Sequence, residues 1–151
     1  MKTYVIMISR VFLKGHEREG EFTKFVEKIL DNIKIHTLRS NIELWEKRFE
    51  KIEAGNACIS LRYWEGKPYK SKQIEFKRLT KEDGIGLEVL EFDPITKIHP
   101  LFNKKISKND IANEYLIAKN DGLFYNDFLI FFEKVKGEVA IIHFTKFRYI
   151  N

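Results

Sequence analysis

Lys34, His36, Thr37 and Arg39 fall within the six residues of "KIHTLR". An amine beside a hydroxyl can do covalent chemistry: a neutral lysine takes the threonine proton, and the alkoxide attacks an electrophile. That use requires a lysine pKa lowered by burial. The same residues have a second use. "KIHTLR" runs into a helix start, and the unpaired amides of a helix start attract anions. A third reading is structural, with Thr37 as a cap, Lys34 in solvent and His36 bonded to a neighbour. In extended chain, alternation puts Lys34, His36 and Leu38 on one face and Ile35, Thr37 and Arg39 on the other. Bringing Lys34 to Thr37 therefore needs a local twist or bulge. Trp45 and Arg48, a few residues on, add an aromatic and a further cation to the candidate ligand contacts.

A second cluster lies in "RYWEGKPYKSKQ", where Arg62, Trp64, Tyr69, Ser71, Lys72 and Gln73 crowd one strand–loop–strand unit. Aromatic rings stack on bases, cations meet phosphates, and glutamine can read a base edge at two points. The alternative is a core tryptophan under a solvated basic hairpin. His16, His36, His99 and His143 show no metal-ligand spacing, so no metal is expected. No glycine-rich phosphate loop of the P-loop or dinucleotide-binding type is present, and no cofactor is implied.

These side chains need elements to hold them. Residues 3–12 read as a buried strand, rich in β-branched and aromatic residues. Phe22, Phe25, Val26, Ile29 and Leu30 recur at helical spacing and predict one apolar helix face. Ser40 and Glu43 form a capping-box pattern ahead of Ile42, Trp45, Phe49 and Ile52, with Gly55 as the stop. Strands are expected over 56–65, 72–80 and 85–93. Residues 94–105 read as a connection. A helix capped by Ser107 and ended by Gly122 follows, then a second capped by Asn126, then a last strand over 138–150. The order β, α, α, three β, α, α, β points to α+β with a mostly antiparallel, strongly curved sheet.

The totals bound the class. The 151 residues fit one domain with a real core. No apolar run is long enough to span a bilayer, and the first residues read as a strand rather than a signal peptide. The lone Cys58 leaves no intramolecular disulfide and no thiolate zinc site, and a reducing cytoplasm is the simplest compartment. A formal charge of +5 and a pI near 9.2 permit nucleic acid or phosphate partners without demanding them. The 13 phenylalanines suggest a core filled with large side chains.

"KIHTLR" resembles the ASCH domain signature K-x-x-T-x-R, filled by Lys34, Thr37 and Arg39. Asn32 stands where that signature has a glycine, two before the lysine. The stretch from Lys34 to Gln73 is also similar to a group of bacterial and phage-like ASCH proteins that share H-T-x-R, a following tryptophan and P-Y-x-S-K-Q. "AKNDGL" at 118–123 resembles the acidic helix-end segment of the same group. The resemblance implies a single PUA-like domain, a mostly antiparallel β-barrel with flanking helices. It also implies a cleft that binds RNA or a nucleotide. One enzyme branch of the family deacetylates acetylated cytidine. Carried over by position, the resemblance implies Thr37 as nucleophile, Lys34 as its base and Asp121 as the assisting carboxylate, where that branch has glutamate. Two functions stay open at this point: a nucleotide- or RNA-binding module, and a small amidohydrolase acting on an acylated nucleoside.

Overall fold

A computed structural model describes residues 1–92, 100–103, 105–106, 114–133 and 137–150. In chain order the elements are β1 (Lys2–Met7), α1 (Phe25–Leu30), β2 (His36–Arg39), α2 (Ile42–Glu53), β3 (Ala57–Trp64), β4 (Gln73–Leu79), β5 (Gly86–Phe92), β6 (Pro100–Phe102), β7 (Lys105–Ile106), α3 (Glu114–Asn120), α4 (Tyr125–Glu133) and β8 (Val139–His143). The class is α+β. The strands form two sheets, ordered β1-β3-β4 and β2-β8-β5-β6-β7. The larger sheet is antiparallel throughout, whereas β1 runs parallel to β3 in the smaller one. Strand pairing among the described residues closes no barrel.

β8 organises the interior. Every one of its residues is buried. Ala140 and Ile142 face a first core that includes Tyr4, Ile6, Trp45, Phe49 and Ile59. Val139 and Ile141 face a second that includes Leu38, Leu90, Phe102, Ile117, Phe128 and Tyr149. Successive strand side chains point to opposite faces, so one strand separates the two cores. The register continues that division into β2. Thr37 sits opposite Ile142 and so on the first-core face, while His36 sits opposite His143 and Leu38 opposite Ile141 on the second-core face.

Several expected boundaries move, each for a local reason. Phe22 is 74% exposed and pairs with Val11 in an isolated bridge, so α1 starts only at Phe25. The cap of α2 is Asn41 rather than Ser40. Asn41 takes a left-handed φ of 62°, which asparagine tolerates, and its carboxamide oxygen accepts from Leu44 N–H at 3.2 Å. Glu43 is then free to pair with Lys47. Asn126 lies inside the first turn of α4 and does not cap it. In β4 a register shift opposite Leu61 and Arg62 flips the alternation, burying Leu79 and leaving Arg78 outside. β6 forms within, and β7 at the end of, a stretch that reads as connection; residues 94–99 and 104 of that stretch lie outside the described residues, as do Ser107 and the start of its helix. The last strand stops at His143. Beyond it the chain turns back, and the Glu88 carboxylate fixes it by accepting from the Tyr149 and Ile150 amides at 2.8 and 3.0 Å.

α3 ends in a tight turn. Leu123 N–H donates to Ala118 O at 2.9 Å and Gly122 N–H to Lys119 O at 3.0 Å, the paired bonds of a Schellman motif. Gly122 carries the left-handed φ of 76°, and a Cβ there would lie 3.0 Å from the Lys34 Cβ. Gly122→Ala combines backbone strain with a steric clash. It should lower stability by about 1–3 kcal/mol, read as a lower urea midpoint at unchanged slope. An unchanged midpoint would show that neither the turn nor the lysine stem constrains this position.

Candidate functional site

Two helix ends build the site. α1 finishes with Asn32 in the left-handed region at φ 57°. Ile33 N–H donates to Lys28 O at 2.8 Å and Asn32 N–H to Ile29 O at 3.2 Å, a second Schellman turn. Asparagine thus occupies the conformation for which glycine is the usual choice. The turn releases Lys34 as an irregular residue ahead of β2, so strand alternation does not govern its direction. Ile35 N–H then donates to Asn120 O at 2.8 Å, which ties this segment to the end of α3. Lys34 Nζ donates to the Asp121 carbonyl at 2.7 Å and to its Oδ1 at 2.9 Å. Lys28 Nζ donates to Gly122 O at 2.8 Å. Two ammonium groups therefore meet the carbonyl end of α3, where the helix dipole favours positive charge.

Behind Asp121 the network continues inward. His36 Nδ1 lies 3.2 Å from Asp121 Oδ1 and Nε2 lies 2.8 Å from the Tyr149 hydroxyl, which also accepts from Asn120 Nδ2 at 3.0 Å. A carboxylate can only accept, so His36 Nδ1 carries the hydrogen toward Asp121. Glu88 holds Tyr149 in place through its amide and also accepts from His143 Nε2 at 2.7 Å.

Burial sets the charges. It pushes the Lys34 ammonium well down, against the opposing pull of the Asp121 charge and hydrogen bond. Burial also works against the Asp121 carboxylate, but the Lys34 charge and the His36 hydrogen bond outweigh it and hold the carboxyl below its usual range. His143 is pushed down to about 4 by burial, although Glu88 pulls the other way. The Tyr149 phenol is raised by burial and stays protonated.

In front of Asp121 lies a cavity of about 730 Å³. Lys34, Thr37, Arg39 and Asp121 line it together with Trp64 and Tyr69, whose rings are tilted and 5.2 Å apart. The Lys34 ammonium sits 4.5 Å from the centre of the Phe25 ring, which also faces the cavity. Thr37 makes no side-chain hydrogen bond to a described residue. Arg39 gives one, from Nη2 to Met7 O at 2.8 Å, and burial lowers its guanidinium against the Asp121 charge.

The structure brings together Lys34, Thr37, Arg39, Asp121, Trp64 and Tyr69, from segments far apart in the chain. It places the other candidates elsewhere. His36 is fully buried behind Asp121. Trp45 belongs to the first core, with the Arg48 guanidinium 4.6 Å over its ring. Arg62 donates to Ser60 Oγ and Gln73 Oε1 on the smaller sheet. Ser71 closes its own loop, accepting from Gly66 N–H and donating to Lys67 O. Lys72 is exposed. Among the described residues no group of three His, Cys, Asp or Glu side chains could hold a metal ion.

Sequence reasoning missed a whole wall. Residues 11–14, His16 and Thr23 line the cavity from the segment after β1, together with Asp127 from α4. Arg18 Nη1 donates to Asp127 Oδ2 at 2.7 Å, His16 Nε2 lies 3.5 Å from Oδ1, and Arg18 lies over the Phe12 ring at 4.6 Å. The polar run "KGHEREGE" reads as a solvated loop, and no spacing ties it to an aspartate more than a hundred residues later. A scan of protein-family models, a search of curated proteins and a search of solved structures each return no match. No helix among the described residues is long and apolar enough to cross a membrane.

Two predictions follow from the buried charges. Asp121→Asn leaves the Lys34 ammonium without its counter-ion and should cost about 3–5 kcal/mol; adding Lys34→Met should recover a large part of it. A double variant no more stable than Asp121→Asn alone would remove the coupling. The second concerns pH. The folded His143 titrates near 4 and the unfolded one near 6.5, so between those values the unfolded chain binds the extra proton. Stability should therefore decline as pH falls from about 6.5 toward 4, and Asp121 and Glu88, both held below their usual ranges, extend the loss below that. Thermal midpoints that stay level from pH 7 to 4.5 would contradict this, and His143→Gln should flatten the upper part of the slope.

Proposed function

We propose that this chain is an ASCH-type, PUA-like module whose cavity holds a nucleoside or nucleotide, free or as part of RNA in a cytoplasmic setting. The observation that carries the reading is convergence: the K-x-x-T-x-R residues Lys34, Thr37 and Arg39 line the same hollow as Trp64 and Tyr69 of the distant hairpin. Its volume, about 730 Å³, lies in the range of small-molecule sites. In this reading a base lies against the Trp64 and Tyr69 rings, and Arg39 offers its remaining N–H groups to phosphate or ribose. Stacking of this kind contributes about 1–3 kcal/mol per base. Calorimetric titration with cytidine monophosphate at two salt concentrations tests it. Trp64→Ala should weaken binding about tenfold, consistent with the loss of one stacking contact. Equal affinity in the variant would end the stacking model.

A second reading, an amidohydrolase on an acylated nucleoside, is favoured by one observation. Thr37 keeps a hydroxyl with no hydrogen bond to a described residue, in the same cavity as a buried lysine whose charged form is disfavoured. A neutral Lys34 amine would take the Thr37 proton as Oγ1 adds to the acyl carbonyl. The tetrahedral adduct would expel the nucleoside amine, which takes the proton back from Lys34, and water would then hydrolyse the acyl-threonine. Asp121 would position the lysine by the two bonds to its ammonium form. Thr37→Ser should retain turnover of N4-acetylcytidine and Thr37→Ala should abolish it with binding kept. Wild-type turnover in Thr37→Ala would rule this chemistry out.

A further inference from the structure

Lys2, Lys47, Arg48 and Lys51 gather around a second hollow, about 530 Å³, between the first half of β1 and α2. Its helix wall follows one stripe, Leu44, Lys47, Arg48 and Lys51, at the spacing that puts residues on a single helix face. The glutamates of α2 occupy other positions. Glu43 pairs with Lys47 at 3.2 Å, a contact between two largely exposed side chains and so a weak one. Lys2, Arg48 and Lys51 make no ion pair with a described residue. Arg48 is held in place by aromatic faces, 5.0 Å from the Tyr4 ring centre and 4.6 Å from that of Trp45, and the Lys2 amine lies 5.7 Å from the Tyr4 ring. Four cations around one hollow, three of them with no ion pair to a described residue, fit a polyanion.

The groove and the cavity share a strand. β1 is an edge of its sheet. Lys2, Thr3, Tyr4 and Val5 line the groove, and Met7, Ile8 and Ser9 line the cavity, so the two hollows follow one another along the same length of chain. Four strand steps separate Thr3 from Met7, about 13 Å at ~3.3 Å per residue. A lone nucleotide in the cavity does not reach the groove cations, whereas a strand of several nucleotides does. An acidic peptide would meet the same cations but would have no use for the Trp64–Tyr69 pair at the far end.

We infer that the basic groove between β1 and α2 is a track for the phosphate backbone of single-stranded nucleic acid, continuing along the β1 edge from the cavity. This rests on the nucleotide reading of the cavity and selects a polymer over a free nucleotide. The test uses the full chain, a fluorescein-labelled RNA of about eight cytidines, and cytidine monophosphate as the cavity probe. Lys47→Glu/Lys51→Glu should weaken RNA binding about tenfold or more. It should also make the slope of log affinity against log salt shallower by about 1.4, from ~0.7 for each of two lost phosphate contacts. Affinity for cytidine monophosphate should stay the same. Lys47→Gln/Lys51→Gln should shift both RNA readings in the same direction by less, which separates lost contacts from introduced repulsion. RNA affinity and slope that match the wild type in both variants would overturn the track. Polyglutamate that displaces the RNA at equal charge concentration would overturn it in favour of an acidic protein partner. Cytidine monophosphate that fails to bind while RNA binding still depends on Lys47 and Lys51 would remove the cavity reading and keep the track.

Discussion

Lys34 and Asp121 meet across 87 positions of sequence, with both side chains nearly out of water. Each ion loses several kcal/mol of hydration on burial, and their attraction offsets this only when every remaining hydrogen-bonding position is filled. The structure adds two further hydrogen bonds to the pair. The ammonium takes the Asp121 carbonyl as well as its carboxylate, and the carboxylate also meets His36. The pair sits where two helices end. Both α1 and α3 close in left-handed turns, at Asn32 and Gly122, and the lysine stem passes directly over the second turn.

The constraint reaches further than the pair. His36 can face Asp121 because Tyr149 takes its other ring nitrogen, and Tyr149 is in place because Glu88 holds the returning chain by two amides. Glu88 sits on β5 beside β8, so the central strands of the larger sheet carry a polar relay on their second-core face. Burying a histidine pair, a carboxylate and a phenol inside a sheet is costly unless they satisfy one another. His143 Nδ1 is the one buried side-chain polar atom among the described residues left without a partner. That relay orients the back of Asp121 while its front faces open space.

The cavity is therefore polar at one end and apolar along its walls. Low polarity there makes each charge count for more and makes the lysine easier to deprotonate than one in water. The segment after β1 is tied to α4 through Arg18, His16 and Asp127, an ion pair to which no side chain of the K-x-x-T-x-R run contributes.

The sequence by itself determined much of the local structure. Helical spacing of Trp45, Phe49 and Ile52 marked the buried face of α2, the apolar run at 139–142 marked the central strand, and the grouping of Lys34, Thr37 and Arg39 marked the segment that lines the cavity. These signals are local, because periodicity and short polar motifs act within a few residues. It did not determine that β1 and β3 run parallel, that Asn41 rather than Ser40 caps α2, or that a bulge turns Arg78 outward. Nor could it decide between a core tryptophan and a ligand-facing one: Trp45 is the first and Trp64 lines the cavity. Those outcomes depend on which distant surfaces pack together. Only the tertiary structure could put Asp121 against Lys34, Arg18 and His16 against Asp127, and the basic stripe of α2 beside the open edge of β1, because the energies that choose such contacts come from burial and long-range pairing, not from neighbours along the chain.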